Sequence, residues 1–237
     1  MNSPRINRVL QVLNLVALNP APTRLSAIGA ALGLHPSTVS RIIADLVAGG
    51  LLVKCAYRSV VAAPELALLG LRAGQNHPLT RIARELLPPF LAEMELAGDL
   101  AAAPANGLYH FYVERRGLPA PEPLRRSDLA AVIFAAEGLT REQALVRLRR
   151  ASPGSENDGD PEPFLRRMEE AARERHLVNF HAGRFWQLTL PLQCGPFFCA
   201  FSVARTEQPR DEQIFPACSR MVSRIKAAYN VRIEESC

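Results

Sequence analysis

The residue types best suited to chemistry gather in "HPSTVSR", where His35, Ser37, Thr38, Ser40 and Arg41 surround a helix start opened by Pro36. The free N–H groups and the dipole of a helix start favour an anion, and short hydroxyls add further donors. The same residues also suit an ordinary capped helix whose hydroxyls bond its own backbone. Elsewhere the chain offers little for catalysis. His35, His77, His110, His176 and His181 are scattered, with no nucleophile set beside them by spacing. On predicted strands, His110 and His181 read as hydrogen-bonded structural residues. The five cysteines, Cys55, Cys194, Cys199, Cys218 and Cys237, form no Cys-x-x-Cys pair and have no histidine at zinc-ligand spacing. They read as small hydrophobes or surface thiols. No glycine-rich phosphate loop is present. The expectation is a chain that is not an enzyme, with no metal and no cofactor.

The elements around this stretch define how it is presented. Ser3-Pro4 suits a helix start, and Ile6, Val9, Leu10, Leu13, Val16 and Ala17 follow at helical spacing up to Pro20. A second helix runs from about Ser26 to Leu32 with Ile28 and Leu32 inward, and Gly33 breaks it. The third helix begins at Pro36, buries Val39, Ile42, Ile43, Leu46 and Val47, and ends at Gly49-Gly50. Gly29 lets the second and third helices approach closely. "LLVKCAYRSVVA" then reads as strand, turn and strand. Three helices followed by a two-stranded wing make a winged helix-turn-helix over residues 1–63. In that geometry the helix at about 36–48 enters the DNA major groove, with Ser26, His35, Ser37, Thr38, Ser40 and Arg41 facing the duplex. Arg41 reaches a phosphate or pairs bidentately with a guanine edge. Lys54, Tyr57 and Arg58 on the wing meet the backbone or the minor groove.

Charge points the same way. The chain has a net charge of +5, and residues 1–75 hold seven bases against two acids, while the remaining residues balance at 21 of each. An excess confined to the segment carrying the helix pair implies a polyanionic partner. No run of about 18 uncharged apolar residues occurs, so a membrane span is not expected. The N-terminus lacks the order of a secretion signal, and the chain reads as cytoplasmic.

Residues 64–97 read as a helical linker, interrupted or restarted near Pro88-Pro89. Residues 98–237 change period. Asn106-Gly107 lies between two β-competent runs, the signal of a tight hairpin. Helices are expected at about 124–136, 140–150 and 163–175. Three strands follow, with turns at Ala182-Gly183 and Gly195-Pro196, and then a terminal helix at about 210–230. "SPGSENDGDP" has the composition of a surface loop. The fold class is α+β, with helices packed on an antiparallel sheet.

The arrangement "INRVLQVLNLVAL…RLSAIGAALGLHPSTVSRIIADLVAGGLL…LALLG" resembles the DNA-binding half of IclR-type bacterial transcription regulators. "RELLPPFLAEMELAGDLAAAPANGLYHFYVERRG" and "FCAFSVA" resemble parts of the family's second domain. The resemblance implies a GAF-like effector-binding and oligomerisation domain at 98–237 and a homodimer or dimer of dimers. It also implies a double-stranded DNA operator and a small-molecule effector. The family's "P-L-H-A-[TS]-x-x-G-K" segment is altered here. Arg125 stands at the histidine, Ser127 at the hydroxyl position, and Ala130-Ala131 near the Gly-Lys. The lining carried over is Tyr112, Arg125, Ser127, Trp186, Gln187 and Ser202, which could hold a carboxylate or an aromatic compound. Two readings of the second domain stay open. One is a ligand sensor; the other is a dimerisation or protein-docking module that has lost its ligand.

Overall fold

The computed structural model describes residues 4–19, 21–55, 58–104, 107–115, 124–151, 160–181, 185–207 and 213–234. It divides into two compact units, Met1–Gly74 and Gln75–Cys237. The segment expected as a linker is thus shared between them.

In the first unit, α1 (Pro4–Ala17) buries Val12 and Val16 and leaves Ile6 and Leu10 more than half exposed. The expected stripe through Ile6, Leu10 and Ala17 is rotated. Apolar residues stand on most sides of this helix, so a 3.6-residue period alone does not choose the buried one. A two-residue strand, β1 (Thr23–Arg24), precedes α2 (Leu25–Leu32), which buries Ile28. Gly33 ends α2 with φ 62°, in the left-handed region that glycine occupies without strain. A Cβ on Gly29 would lie 3.1 Å from the Leu34 carbonyl oxygen, so the tight turn into the next helix needs a glycine there. Helix α3 (Pro36–Ala48) buries Val39, Ile42, Ile43 and Leu46, while Val47 is half-buried.

Strands β2 (Leu52–Cys55) and β3 (Ser59–Ala62) form the wing, and β1 adds to it in the order β1-β3-β2. The expected two-stranded ribbon is therefore a three-stranded sheet. Pairing of Arg24 with Ser59 seals its inner edge. Helix α4 (Pro64–Asn76) buries none of its residues, and Leu68, Leu69 and Leu71 stand exposed on it.

The second unit begins on α5 (Pro78–Glu93), which buries Leu79, Ile82, Ala83, Leu87 and Leu91. Pro88 and Pro89 lie inside this helix without breaking it, contrary to the expected interruption. Each removes one helical hydrogen bond, from the carbonyls of Arg84 and Glu85. Both of those residues are exposed, which leaves their carbonyls water to bond instead. The chain restarts earlier, at His77-Pro78. There the His77 Nδ1 accepts the Leu79 N–H at 3.2 Å and caps the helix.

The sheet has five antiparallel strands in the order β5-β4-β8-β7-β6. They are β4 (Ala97–Ala102), β5 (Tyr109–Glu114), β6 (Leu177–His181), β7 (Phe185–Cys194) and β8 (Phe197–Arg205). The β4–β5 connection spans 103–108, longer than the tight turn expected at Asn106-Gly107, and Asn106 itself lies outside the described residues. Helix α5 and the last helix, α9 (Ile214–Glu234), pack on one face over Leu100, Phe111, Trp186, Leu188, Leu190 and Phe201. The other face carries α6 (Asp128–Ala136), entered through a 3-10 turn at Leu124–Arg126. Helices α7 (Arg141–Ala151) and α8 (Glu162–Glu174) complete that side. Small residues meet where α6 lies down, with Ala130 and Ala131 of the helix and Ala101 and Ala200 of the sheet all fully buried.

The His77 ring lies 4.7 Å from Phe111 and 5.3 Å from Phe197, centroid to centroid. Burial among them holds its pKa below 6.5. A depressed histidine binds fewer protons folded than unfolded, so its contribution is present above pH 6.5 and is lost as pH falls below that value. Urea melts across pH 5 to 8 should show stability falling on the acid side. His77→Asn, a cap that does not titrate, should flatten that slope.

Candidate functional site

The exposed side of α3 is built by its buried one. With Val39, Ile42, Ile43 and Leu46 held in the core, helical geometry turns Ser37, Ser40 and Arg41 outward, and all three are exposed. Thr38 is half-buried. His35 is the N-cap: its Nδ1 accepts the Ser37 N–H at 3.4 Å and lies 2.9 Å from the Ser37 hydroxyl. The imidazole thus does the work usually given to Ser, Thr, Asp or Asn at this position. The signal for this role was the His-Pro pair itself, which recurs at His77-Pro78.

Lys54 is exposed on β2 and Arg58 at the wing turn, where Arg58 takes a left-handed φ of 53°. Tyr57 lies outside the described residues. Ser26 is exposed near the start of α2. It lines a groove of about 700 Å³ together with Ser40, Arg58 and a residue that the sequence reading passed over, Arg24. Arg24 is the N-cap of α2 and makes no side-chain cap bond. Arg5 of α1 bonds Asp45 at 3.4 Å, so the acid on α3 carries a base beside it.

In the second unit, the six residues expected to line an effector pocket do not share a face of the sheet. Trp186 is packed in the core beneath α5 and α9, and Tyr112 packs against the same core, its hydroxyl donating to Glu114 Oε2 at 2.8 Å. Gln187 and Ser202 belong to the α6 side. There the Gln187 amide donates to the Ser202 hydroxyl at 2.8 Å, and Thr189 and Ser202 hydroxyls are 3.0 Å apart. Ser127 caps α6 by accepting the Ala130 N–H at 3.3 Å. Arg125, half-buried in the 3-10 turn, offers its carbonyl to the Arg167 guanidinium at 3.0 Å.

The centre of this side is a residue missed from the sequence, Asp128. Its side chain is 1% exposed, ion-paired with Arg167 Nε at 3.1 Å and bonded through Oδ2 to Asn179 Nδ2 at 2.7 Å and His181 Nε2 at 3.0 Å. Nearer the other edge, the Asp99 carboxylate meets His110 Nδ1 at 2.7 Å and Arg115 at 3.3 Å. Both strand histidines are therefore bonded to buried carboxylates.

Three cysteines are buried in the second unit. Burial pushes the Cys194 thiol up to about 11, and those of Cys199 and Cys218 up to about 12, away from the thiolate form that reacts. Among the described residues, no group of His, Cys, Asp or Glu is placed to hold a metal, and no helix is long and apolar enough to cross a membrane.

Fold and site together define a helix-turn-helix unit with a small wing sheet, followed along the chain by an antiparallel sheet domain with helices on both faces. Residues 6–54 match the IclR helix-turn-helix domain. An IclR family transcriptional regulator from Brucella abortus superposes with a TM-score of 0.72 at 18% identity, covering 96% of this chain and 93% of that one. An IclR transcriptional regulator from Alicyclobacillus acidocaldarius gives 0.60 at 16% identity, covering 97% and 100%. An IclR homologue from Microbacterium hydrocarbonoxydans, complexed with 4-hydroxybenzoate, gives 0.59 at 18% identity, covering 96% and 99%. No curated protein matches the sequence significantly. The match to the family model is thus confined to residues 6–54, and nearly the whole chain shares its fold with solved IclR family regulators.

Removing one member of a buried ion cluster leaves its partners uncompensated. Asp128→Ala should lower the stability of the second unit by about 3–5 kcal/mol in urea denaturation. A loss below about 1 kcal/mol would mean that the carboxylate is not the centre of this packing.

Proposed function

We propose that this protein is a sequence-specific transcription regulator of the IclR type, acting in the cytoplasm on a double-stranded DNA operator and performing no catalysis. The observation that carries the reading is the exposed side of α3 within an IclR-type helix-turn-helix domain. It offers hydroxyls and the Arg41 guanidinium on a unit holding the chain's whole charge excess. In this reading Ser26, His35, Ser37, Thr38, Ser40 and Arg41 face the duplex, and Lys54, Tyr57 and Arg58 meet it from the wing. A homodimer or dimer of dimers is supported by the exposed apolar residues of α1 and α4, Ile6, Leu10, Leu68, Leu69 and Leu71.

The second unit is read as a GAF-like effector domain, with the α6 side of the sheet as its ligand face. Arg125, Ser127, Gln187 and Ser202 belong to that side, whereas Tyr112 and Trp186 serve the opposite core. A carboxylate or aromatic effector fits the resemblance, and the homologue holding 4-hydroxybenzoate supports it. One observation favours a second reading, in which this unit is a dimerisation or docking module without a ligand. Gln187, Thr189 and Ser202 already bond one another, and Asp128 already occupies Arg167, Asn179 and His181.

Arg41→Ala should weaken binding to an operator selected from random DNA by about 1–3 kcal/mol, with a smaller loss on random duplex. Unchanged operator affinity would remove α3 as the reading helix. A ligand at about 100 times its Kd adds about 2.7 kcal/mol to the folded state. Thermal melts against aromatic and aliphatic carboxylates, 4-hydroxybenzoate included, should therefore show a raised Tm for at least one compound. A flat series favours the docking module.

A further inference from the structure

We infer that the groove between α2, the start of α3 and the wing is a seat for a DNA backbone phosphate, with Arg24 as its anchor and Arg58 as its second arm. This rests on the DNA-binding reading and adds a division of labour to it: Arg24 holds the strand without regard to sequence, while Arg41 reads bases.

Two arginines stand in this unit where local preference favours other residues, and both line the same groove. At the N-cap of α2, where Ser, Thr, Asp or Asn would satisfy the backbone, stands Arg24, whose side chain makes no cap bond. At the wing turn, a left-handed conformation that favours Gly, Asn or Asp is taken by Arg58, with φ 53°. Local rules are broken where a side chain is needed for something other than folding. Both arginines are exposed, and among the described residues neither has an ion-pair partner. Among the described residues, the groove's lining contains no acid.

The backbone sets the two arms' starting points side by side. Arg24 pairs with Ser59 across β1 and β3, and the Leu25 N–H donates to the Arg58 carbonyl at 3.0 Å. The residue after Arg24 thus bonds Arg58 directly, and the two guanidiniums leave neighbouring points of one small sheet. Ser26 and Ser40 add hydroxyls to the same groove, and Ser40 belongs to the exposed side of α3. A phosphate seated there would lie beside the helix placed in the major groove. A guanidinium pair with hydroxyl neighbours matches a phosphodiester, which offers two charged oxygens and no donor.

The test uses the full chain and fluorescence-labelled duplexes: the operator selected from random DNA and an unselected duplex of equal length. Arg24→Ala should weaken both by the same factor, on the order of three- to tenfold, and reduce the salt slope of log K by about one. Arg24→Lys should restore most of the affinity on both. Arg220→Ala, an exposed arginine of the second unit, removes the same formal charge and should change neither. Circular dichroism melts check that each variant is folded.

Loss confined to the operator would make Arg24 a base reader and overturn the assignment, as would unchanged binding in a folded Arg24→Ala. Titration with inorganic phosphate supplies the other arm. If phosphate raises the Tm of the wild type but not of Arg24→Ala, while DNA binding is equal in both, the groove is a small-anion site and not a DNA seat. Failure of the wild type to bind any duplex in a salt-dependent manner would instead sink the DNA-binding reading itself.

Discussion

A carboxylate that is 1% exposed must be matched by its surroundings, and the α6 side of the second unit is arranged around that requirement. Asp128 opens α6, Arg167 comes from the middle of α8, and Asn179 and His181 come from the edge strand β6. One charge therefore draws three elements together. Ser127 fixes where α6 begins, and the alanines of α6 allow it to lie close against the sheet. With Asp128 in place, the neighbouring polar row of Gln187, Thr189 and Ser202 is left to bond itself. Any ligand on this side would have to offer better partners than the chain already supplies.

The first unit is built differently: every charged residue among its described residues is exposed. Its core is small, built from Val12, Val16, Ile28, Val39, Ile42, Ile43, Leu46, Leu52 and Val60, with Thr23 and Ser59 as buried polar residues. Its charged groups stand outside, on a backbone held by hydrogen bonds and caps. The β1–β3 pairing and the His35 cap cost few residues, yet they set where Arg24, Arg58 and the hydroxyls of α3 point.

Much of this was legible in the residue order. Helix α3 and the wing follow from periodicity punctuated by Pro36, Gly33 and Gly49-Gly50, and the five strands of the second unit follow from alternation and turn residues. Strand β1 was not legible, because two residues carry no period. The buried side of α1 was not, because apolar residues surround the helix. The effect of Pro88-Pro89 depended on whether the freed carbonyls reach water, which is a property of the packed helix. Asp128 was hidden for a different reason: Asn179 and His181 lie 51 and 53 residues away along the chain. The separation of Trp186 from Gln187 could have been anticipated, since neighbours on a strand point to opposite faces of the sheet.

The His35 cap has a consequence for the surface at the front of α3. Its Nδ1 faces the Ser37 N–H and the Ser37 hydroxyl, so that nitrogen is engaged within the helix start. A serine or aspartate in its place would end at the capping atom. The imidazole extends further and carries its second ring nitrogen on an exposed side chain. The residue that starts the helix thereby also adds a polar atom to its outer surface.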